Sequence, residues 1–438
     1  MKSNIFGKMT ILLGLYFLFS FSFIFSRGFF TLSGSVMFLA SIVLLIVFLI
    51  KPNLVKVNLS RKRFIQLLSV SLFLNLNLTW FLYGGLYQSF QPALNISYSL
   101  LRILVFLSFF LFLATTRKFL KVMTGIFFVF WLSLHLLMIS SSPRPWIDVY
   151  EILKRAPEAL FHGLNPYSID YKQMYFNVRP NFFSYFPFMF LFSAPFVFLF
   201  NDPRFGFVLA QALTFIIIAF KFSWKNKDFG GKFSFLMGLL ILFQPLALYL
   251  TEQSYTEPLI LLQLTLLLYF LFKQKKLAAF VLGMGLATKQ YFVLVALFLK
   301  KRLFNNKELL VTIITTLFIV GPFFLISPKD FIYDTFLIME VTPPRYDGLT
   351  FFSTAYQLTK IPYSKILALG VWIITFFCLT KSSKEFKNNF IIKLAIFLGA
   401  FFYFNKWGYV NYYYLVSNLI LLSIYIQIYQ VENKILLK

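Results

Sequence analysis

Near-continuous apolar runs dominate the chain from its start: Met9–Phe25, Phe29–Ile50 and Phe64–Leu82 follow one another with only short polar joints. A helix rises about 1.5 Å per residue, so runs of this length match a hydrocarbon core roughly 30 Å thick. Inside lipid every backbone polar group must be satisfied internally, which leaves helices or a closed barrel. The runs are continuous rather than alternating, and that selects helices. Composition agrees: 59% of residues are hydrophobic and 13% are charged, against about 25% charged in soluble domains. The expected fold is an all-α polytopic membrane protein of about 11–14 transmembrane or re-entrant helices.

The formal net charge is +26. The basic residues fall in short loops between apolar runs, as in Lys51–Arg63, Arg117-Lys118, Lys273–Lys276, Lys300–Arg302 and Lys381–Lys387. This is the positive-inside pattern of a cytoplasmic face, so the charge calls for no nucleic-acid partner. The single cysteine, Cys378, excludes an internal disulfide and a Cys-based metal site. The first 26 residues have a basic start and an apolar run without a small-residue cleavage site, which reads as a retained first span.

Apolar segments near 9–26, 29–50, 63–84, 97–115 and 119–140 read as five spans, followed by a large loop over 141–180. Later segments lie near 182–200, 204–222, 233–250, 257–272, 277–300, 308–327, 364–380, 389–404 and 411–430. The chain therefore divides into N-terminal segments (1–118), a core (119–326), a second loop (327–363) and C-terminal segments (364–438). With the N-terminus inside, loop 141–180 is outside. The basic stretch 220–232 then stays inside only if 182–200, broken by Pro187 and Pro195, fails to cross. Thr288-Lys289-Gln290 in the middle of 277–300 likewise suggests a broken hairpin that returns to its starting side, with irregular backbone lining a cavity.

Asp148 is the first acidic residue of the chain. Most later carboxylates fall in the segments assigned to the outer face, although Asp and Glu contribute little to topology. From Asp148 to His162, Val149, Ile152, Leu153, Ala156 and Leu160 follow helical spacing, and Gly163 can end the helix. Such an amphipathic helix would lie in the membrane interface. Asp148 stands at its positive dipole end, where a carboxylate is favoured with or without a catalytic role.

Asp148-Val149-Tyr150, then Ala159-Leu160-Phe161-His162-Gly163-Leu164-Asn165-Pro166-Tyr167, then Tyr185-Phe186-Pro187 resemble the signature of multi-pass GT-C glycosyltransferases. The similarity is greatest to the polyprenol-phosphate-mannose-dependent mannosyltransferases and covers about 45 residues. Two departures stand out. About four spans precede the loop where the family usually has one, and Tyr-Phe-Pro replaces a Tyr-Pro-Pro-like element. The resemblance implies a GT-C-like fold and a polyprenyl-phosphate sugar as donor. It also implies a glycan, lipid or protein hydroxyl as acceptor, membrane lipids as surroundings, and an active site on the extracytoplasmic side of the cell membrane. Asp148 is then the general base. No cofactor is implied; a divalent metal is possible but not indicated.

Charge on the departing phosphate calls for fixed cations or dipoles. Lys289, alone within a span, is the first candidate because intramembrane charges mark functional sites; a snorkelling Lys is the alternative. Arg345, in Thr342-Pro-Pro-Arg-Tyr-Asp347, and His162 are the others. Tyr150, Asn165, Tyr167, Glu252 and Glu257 are candidates for acceptor or sugar binding, with loop filler as the alternative for the two Glu. His135, inside an apolar run, reads as a packed core residue, and Asn405–Tyr409 with Tyr412-Tyr413-Tyr414 as an interfacial aromatic belt, with stacking on sugar or prenyl chain as the secondary reading. Two other classes compete. A carrier would call for internal repeats, which the sequence lacks. A membrane polysaccharide polymerase or ligase would call for outer-loop arginines, of which there are Arg144, Arg155 and Arg179.

Overall fold

The computed structural model describes residues 5–113, 116–171, 182–299, 304–382 and 389–435. Those residues are helical, without strands apart from one bridge between Phe29 and Gly348. Among them, eight helices are long and apolar enough to cross a membrane: Ile5–Ile24, Leu32–Ile50, Arg61–Phe81, Gln91–Phe112, Arg117–Ser141, Arg204–Lys221, Asn306–Ile326 and Val410–Asn433. Shorter apolar helices span Phe188–Phe200, Glu257–Leu271, Lys365–Thr380 and Phe390–Tyr403. The chain is a helical membrane protein. Val410–Asn433 forms its axis, packed against Ile5–Ile24, Glu257–Leu271 and Phe390–Tyr403.

The bundle has two ends of opposite chemistry. Arg61 bonds Glu432 at 2.7 Å, and the Lys225 amide donates to Asn433 at 2.8 Å, which gathers the basic loops at one end. Every described acidic residue except Asp228, Glu308 and Glu432 belongs to segments at the opposite end. The basic clusters Lys300–Arg302 and Lys384–Lys387 lie outside the described residues.

Two apolar segments begin and finish at the same end of the bundle. Phe188–Phe200 starts where the Phe188 amide donates to Ala287 O at 2.9 Å. It ends at Asn201, just before Arg204, which is tied to Ile139 and Ser142 at the acidic end. Both of its ends therefore lie at the acidic end. Lys275–Leu286 rises from the basic end and breaks at Ala287, and Val293–Phe298 leads back. The hydroxyls of Thr312 and Thr316 donate to Ala279 O and Gly283 O, so Asn306–Ile326 runs parallel to Lys275–Leu286. This leaves residues 220–232 at the basic end. The segment expected as one span over 233–250 is instead Lys227–Leu242 and Ala247–Glu252. Pro245 lies between them, and its missing N–H and ring clash interrupt a helix.

The second loop docks through Asp334, whose carboxylate accepts the Phe183 amide at 2.7 Å. Burial, with Asp330 nearby, pushes the Asp334 carboxyl up to about 7 despite that hydrogen bond. A carboxyl whose folded value exceeds its unfolded value near 4 stabilises the fold below the lower value and loses that contribution as pH rises through the higher one. Asp334→Asn keeps an acceptor for Phe183. It is expected to raise thermal stability at about pH 8 and to flatten the stability profile between about pH 4 and pH 8. An unchanged profile in detergent melts would contradict this assignment.

Candidate active site at the acidic end

The helix in the first loop spans Asp148–Phe161. Asp148 is its first residue; the capping position is Ile147, which gives no side-chain cap. Asp148 Oδ1 accepts the Val149 amide at 2.8 Å, and its other oxygen has no hydrogen bond from a described side chain. Ile152, Leu153 and Ala156 are buried, and the helix packs on Phe188–Phe200. Its apolar face thus meets protein rather than the headgroup region expected from sequence. Burial raises the Asp148 carboxyl above its ordinary range, while the Val149 amide and the positive charge of Arg345 pull it down. The residue remains partly exposed. A carboxylate with a raised pKa that is held only by backbone amides is suited to accept a proton.

A buried clamp seats this helix. Arg204 is fully buried and holds Asp202 through Nε at 3.0 Å and Nη2 at 2.6 Å. Nη1 donates to Ser142 at 2.9 Å, and the guanidinium carbon lies 5.3 Å from the Tyr150 ring centre. Tyr150 is therefore committed to the clamp.

Lys289 follows the break after Ala287 in extended backbone. The freed groups find partners: Thr288 O accepts the Phe186 amide at 3.2 Å, and Gln290 donates to Ser184 O and Thr335 O at 2.7 and 2.8 Å. Lys289 Nζ bonds Glu257 Oε1 at 2.6 Å and Thr256 Oγ1 at 3.0 Å. It lies 5.1, 5.3 and 5.2 Å from the ring centres of Tyr185, Tyr291 and Tyr412. Tyr185 and Tyr255 feel the charge of both Glu257 and Asp148, so both carboxylates lie in the neighbourhood of these tyrosines.

Arg345 is exposed above this site and pairs with Asp347, with Nε to Oδ1 at 2.9 Å. Its guanidinium carbon is 5.3 Å from the Tyr409 ring centre. The turn 404–409 fixes it: the Arg345 amide donates to Lys406 O at 3.2 Å, Lys406 Nζ to Thr342 O at 2.6 Å and Trp407 Nε1 to Pro343 O at 2.9 Å. A Cβ at Gly408 would stand 2.2 Å from the Tyr413 hydroxyl, so only glycine allows this turn.

The structure thus brings Asp148, Glu257, Lys289 and Arg345 together and sets the other candidates apart. His162 ends the loop helix and is exposed, about 20 Å from Asp148 along a 14-residue helix. It borders a separate cavity of about 450 Å³ with Arg155, Glu158 and Asp170. Asn165 caps a short turn through the Tyr167 amide at 3.2 Å, and the Tyr167 hydroxyl donates to Tyr185 O at 2.8 Å. The Asn-Pro-Tyr segment therefore acts as a latch that positions Tyr185. Both Glu252 oxygens are engaged: Oε1 accepts the Tyr87 amide, and Oε2 accepts Leu86 N–H and Gln253 Nε2, all at 2.8 Å. His135 is buried and bonds Thr251 at 2.8 Å. Arg155 pairs with Glu151 and Glu158, and Arg179 lies outside the described residues. No group of three or more His, Cys, Asp or Glu among the described residues is placed to hold a metal ion.

Sequence reasoning missed the Asp202–Arg204 clamp and Asp334, and it placed Tyr409 and Tyr412 first in an aromatic belt, with stacking on sugar or prenyl chain second. A charged pair interrupting two apolar segments, as in Asn201-Asp-Pro-Arg204, was the available signal for the clamp. No protein-family model matches the chain, and no curated protein shows significant similarity to it.

Proposed function

We propose that the protein is a membrane glycosyltransferase that moves a hexose from a polyprenyl-phosphate donor to an acceptor hydroxyl. In this proposal the basic end faces the cytoplasm and the acidic end faces the extracytoplasmic side of the cell membrane, following the positive-inside rule. The observation that carries the reading is Asp148: a partly exposed carboxylate with a raised pKa, at the acidic end of a membrane bundle, beside a tyrosine-lined site and within the field of an exposed arginine.

The acceptor hydroxyl oxygen forms a bond to the anomeric carbon, and Asp148 takes its proton. The bond from that carbon to the phosphate oxygen breaks, and polyprenyl phosphate leaves with the electron pair. Arg345, at the mouth of the site, offsets the charge of the departing phosphate. The donor's prenyl chain stays in lipid beside the bundle.

The test is transfer from a labelled polyprenyl-phosphate hexose by the reconstituted chain, followed against pH. The rate should fall on the acid side as Asp148 protonates, at a pH above the ordinary carboxylate range near 4. Arg345 lowers the Asp148 pKa, so Arg345→Gln should move the acid limb to higher pH and raise the apparent KM for donor. A limb that stays in place in this variant would remove Asp148 from the proton transfer.

A further inference from the structure

We propose that the Lys289–Glu257 pair, with Tyr185, Tyr291 and Tyr412, is a subsite for a neutral polyhydroxylated ring and not for the donor phosphate. The proposal rests on the glycosyl-transfer reading and divides that site into two parts.

Glu257 is fully buried, and Lys289 is 5% exposed. Oε1 of Glu257 accepts from Lys289 Nζ at 2.6 Å and from the Tyr291 hydroxyl at 3.2 Å. Oε2 is buried and has no hydrogen-bond partner among the described residues. An unmet acceptor on a buried carboxylate is a standing penalty that a hydroxyl donor relieves. Lys289 gives two of its three N–H groups to Glu257 and Thr256 and keeps one.

Charge decides which ligand fits. A phosphate against Nζ would also stand near the Glu257 carboxylate, which lies 2.6 Å from Nζ, so repulsion offsets part of the attraction. It would also add a net negative charge to a desolvated pair, which is unfavourable. A hexose ring adds no charge. One of its hydroxyls donates to Oε2, another accepts from Nζ, and the ring lies beside the tyrosines that surround the ammonium. Tyr291 and Tyr412 are partly exposed, whereas the ion pair beside them is buried. Tyr412 is held flat against Phe402, with ring centres 4.2 Å apart. The phosphate is left to Arg345: its pairing with Asp347 is exposed and weakened by water, so an incoming phosphate can compete for the guanidinium, which it cannot do at the buried pair.

The test compares two probes in lipid nanodiscs: a short-chain alkyl hexoside, which is neutral, and a polyprenyl phosphate without sugar. Removing one charge of the pair leaves the other uncompensated and endangers folding, so the main variant is the charge-balanced double Glu257→Gln with Lys289→Gln. Tyr412→Leu is the second variant and leaves the ion pair intact. Both should lose hexoside affinity by tenfold or more and keep polyprenyl-phosphate affinity within twofold. Arg345→Gln should do the reverse. Loss of polyprenyl-phosphate affinity with hexoside affinity kept, or wild-type affinity for both probes in both variants, overturns the proposal. If the wild-type chain binds the polyprenyl phosphate but not the hexoside, this subsite fails while the glycosyl-transfer reading stands. If it binds neither, both fall.

Discussion

Exchanging Asp148 for Asn is expected to lower hexose transfer by about 10²–10⁴-fold, the usual contribution of general-base catalysis. Asn keeps the side-chain oxygen that receives the Val149 amide at 2.8 Å, so the first turn of the loop helix should persist. It cannot take the acceptor proton at any pH, and the residual rate should lose its acid limb. The replacement also removes a charge that burial disfavours, so the variant should insert and melt at least as well as the parent. A large loss of activity with unchanged stability separates catalysis from folding. Full activity in Asp148→Asn membranes would sink the role assigned here.

The largest effect on stability is expected at Arg204. The guanidinium is fully buried and serves Asp202, Ser142 and Ile139 O while lying against the Tyr150 ring. Arg204→Met leaves the Asp202 carboxylate, itself 7% exposed, without its counter-charge. Breaking a buried pair from one side destabilises by about 3–5 kcal/mol. The loop helix should come loose first, because Tyr150 loses the surface that holds it and Asp148 stands two residues away. The double replacement of Asp202 by Asn and Arg204 by Met should recover most of the loss, since removing both partners of a buried pair is often close to neutral. Melting in detergent, with proteolysis of the loop helix as a local readout, checks both. A single variant as stable as the parent would mean that the clamp does not carry the helix.

Much of the architecture was legible in the sequence because it rests on local rules. Apolar runs of span length and basic loops are read within a window of about 20 residues, whereas the break at Pro245 was passed over. The loop helix was expected to begin at Asp148, and it does. The break at Thr288-Lys289 was signalled by a polar triplet in an apolar run. The partners were not legible. Lys289 meets a carboxylate 32 residues away in the chain, and no spacing rule connects a loop lysine to the first residue of another helix. This pairing also changes its chemistry: Glu257 neutralises the charge that a lone intramembrane cation would offer to an anion. Tyr167 and Asn165 were expected to touch substrate because of their motif, yet their hydrogen bonds run to the backbone that aims Tyr185. Tyr409 and Tyr412 belong to an aromatic run whose composition suits a membrane interface equally well. Their places beside Arg345 and Lys289 come from contacts between residues far apart in the sequence.

The most direct test of the central claim follows the labelled hexose itself. Membranes containing the protein and their native acceptors are given polyprenyl-phosphate hexose labelled in the sugar, and the label that survives mild acid, which cleaves the sugar phosphate, is counted. Acid-stable label should accumulate with the wild-type chain, in step with release of free polyprenyl phosphate, and should stay at background with Asp148→Asn. Acid-stable label at background with both proteins, or accumulating equally with both, would contradict the account.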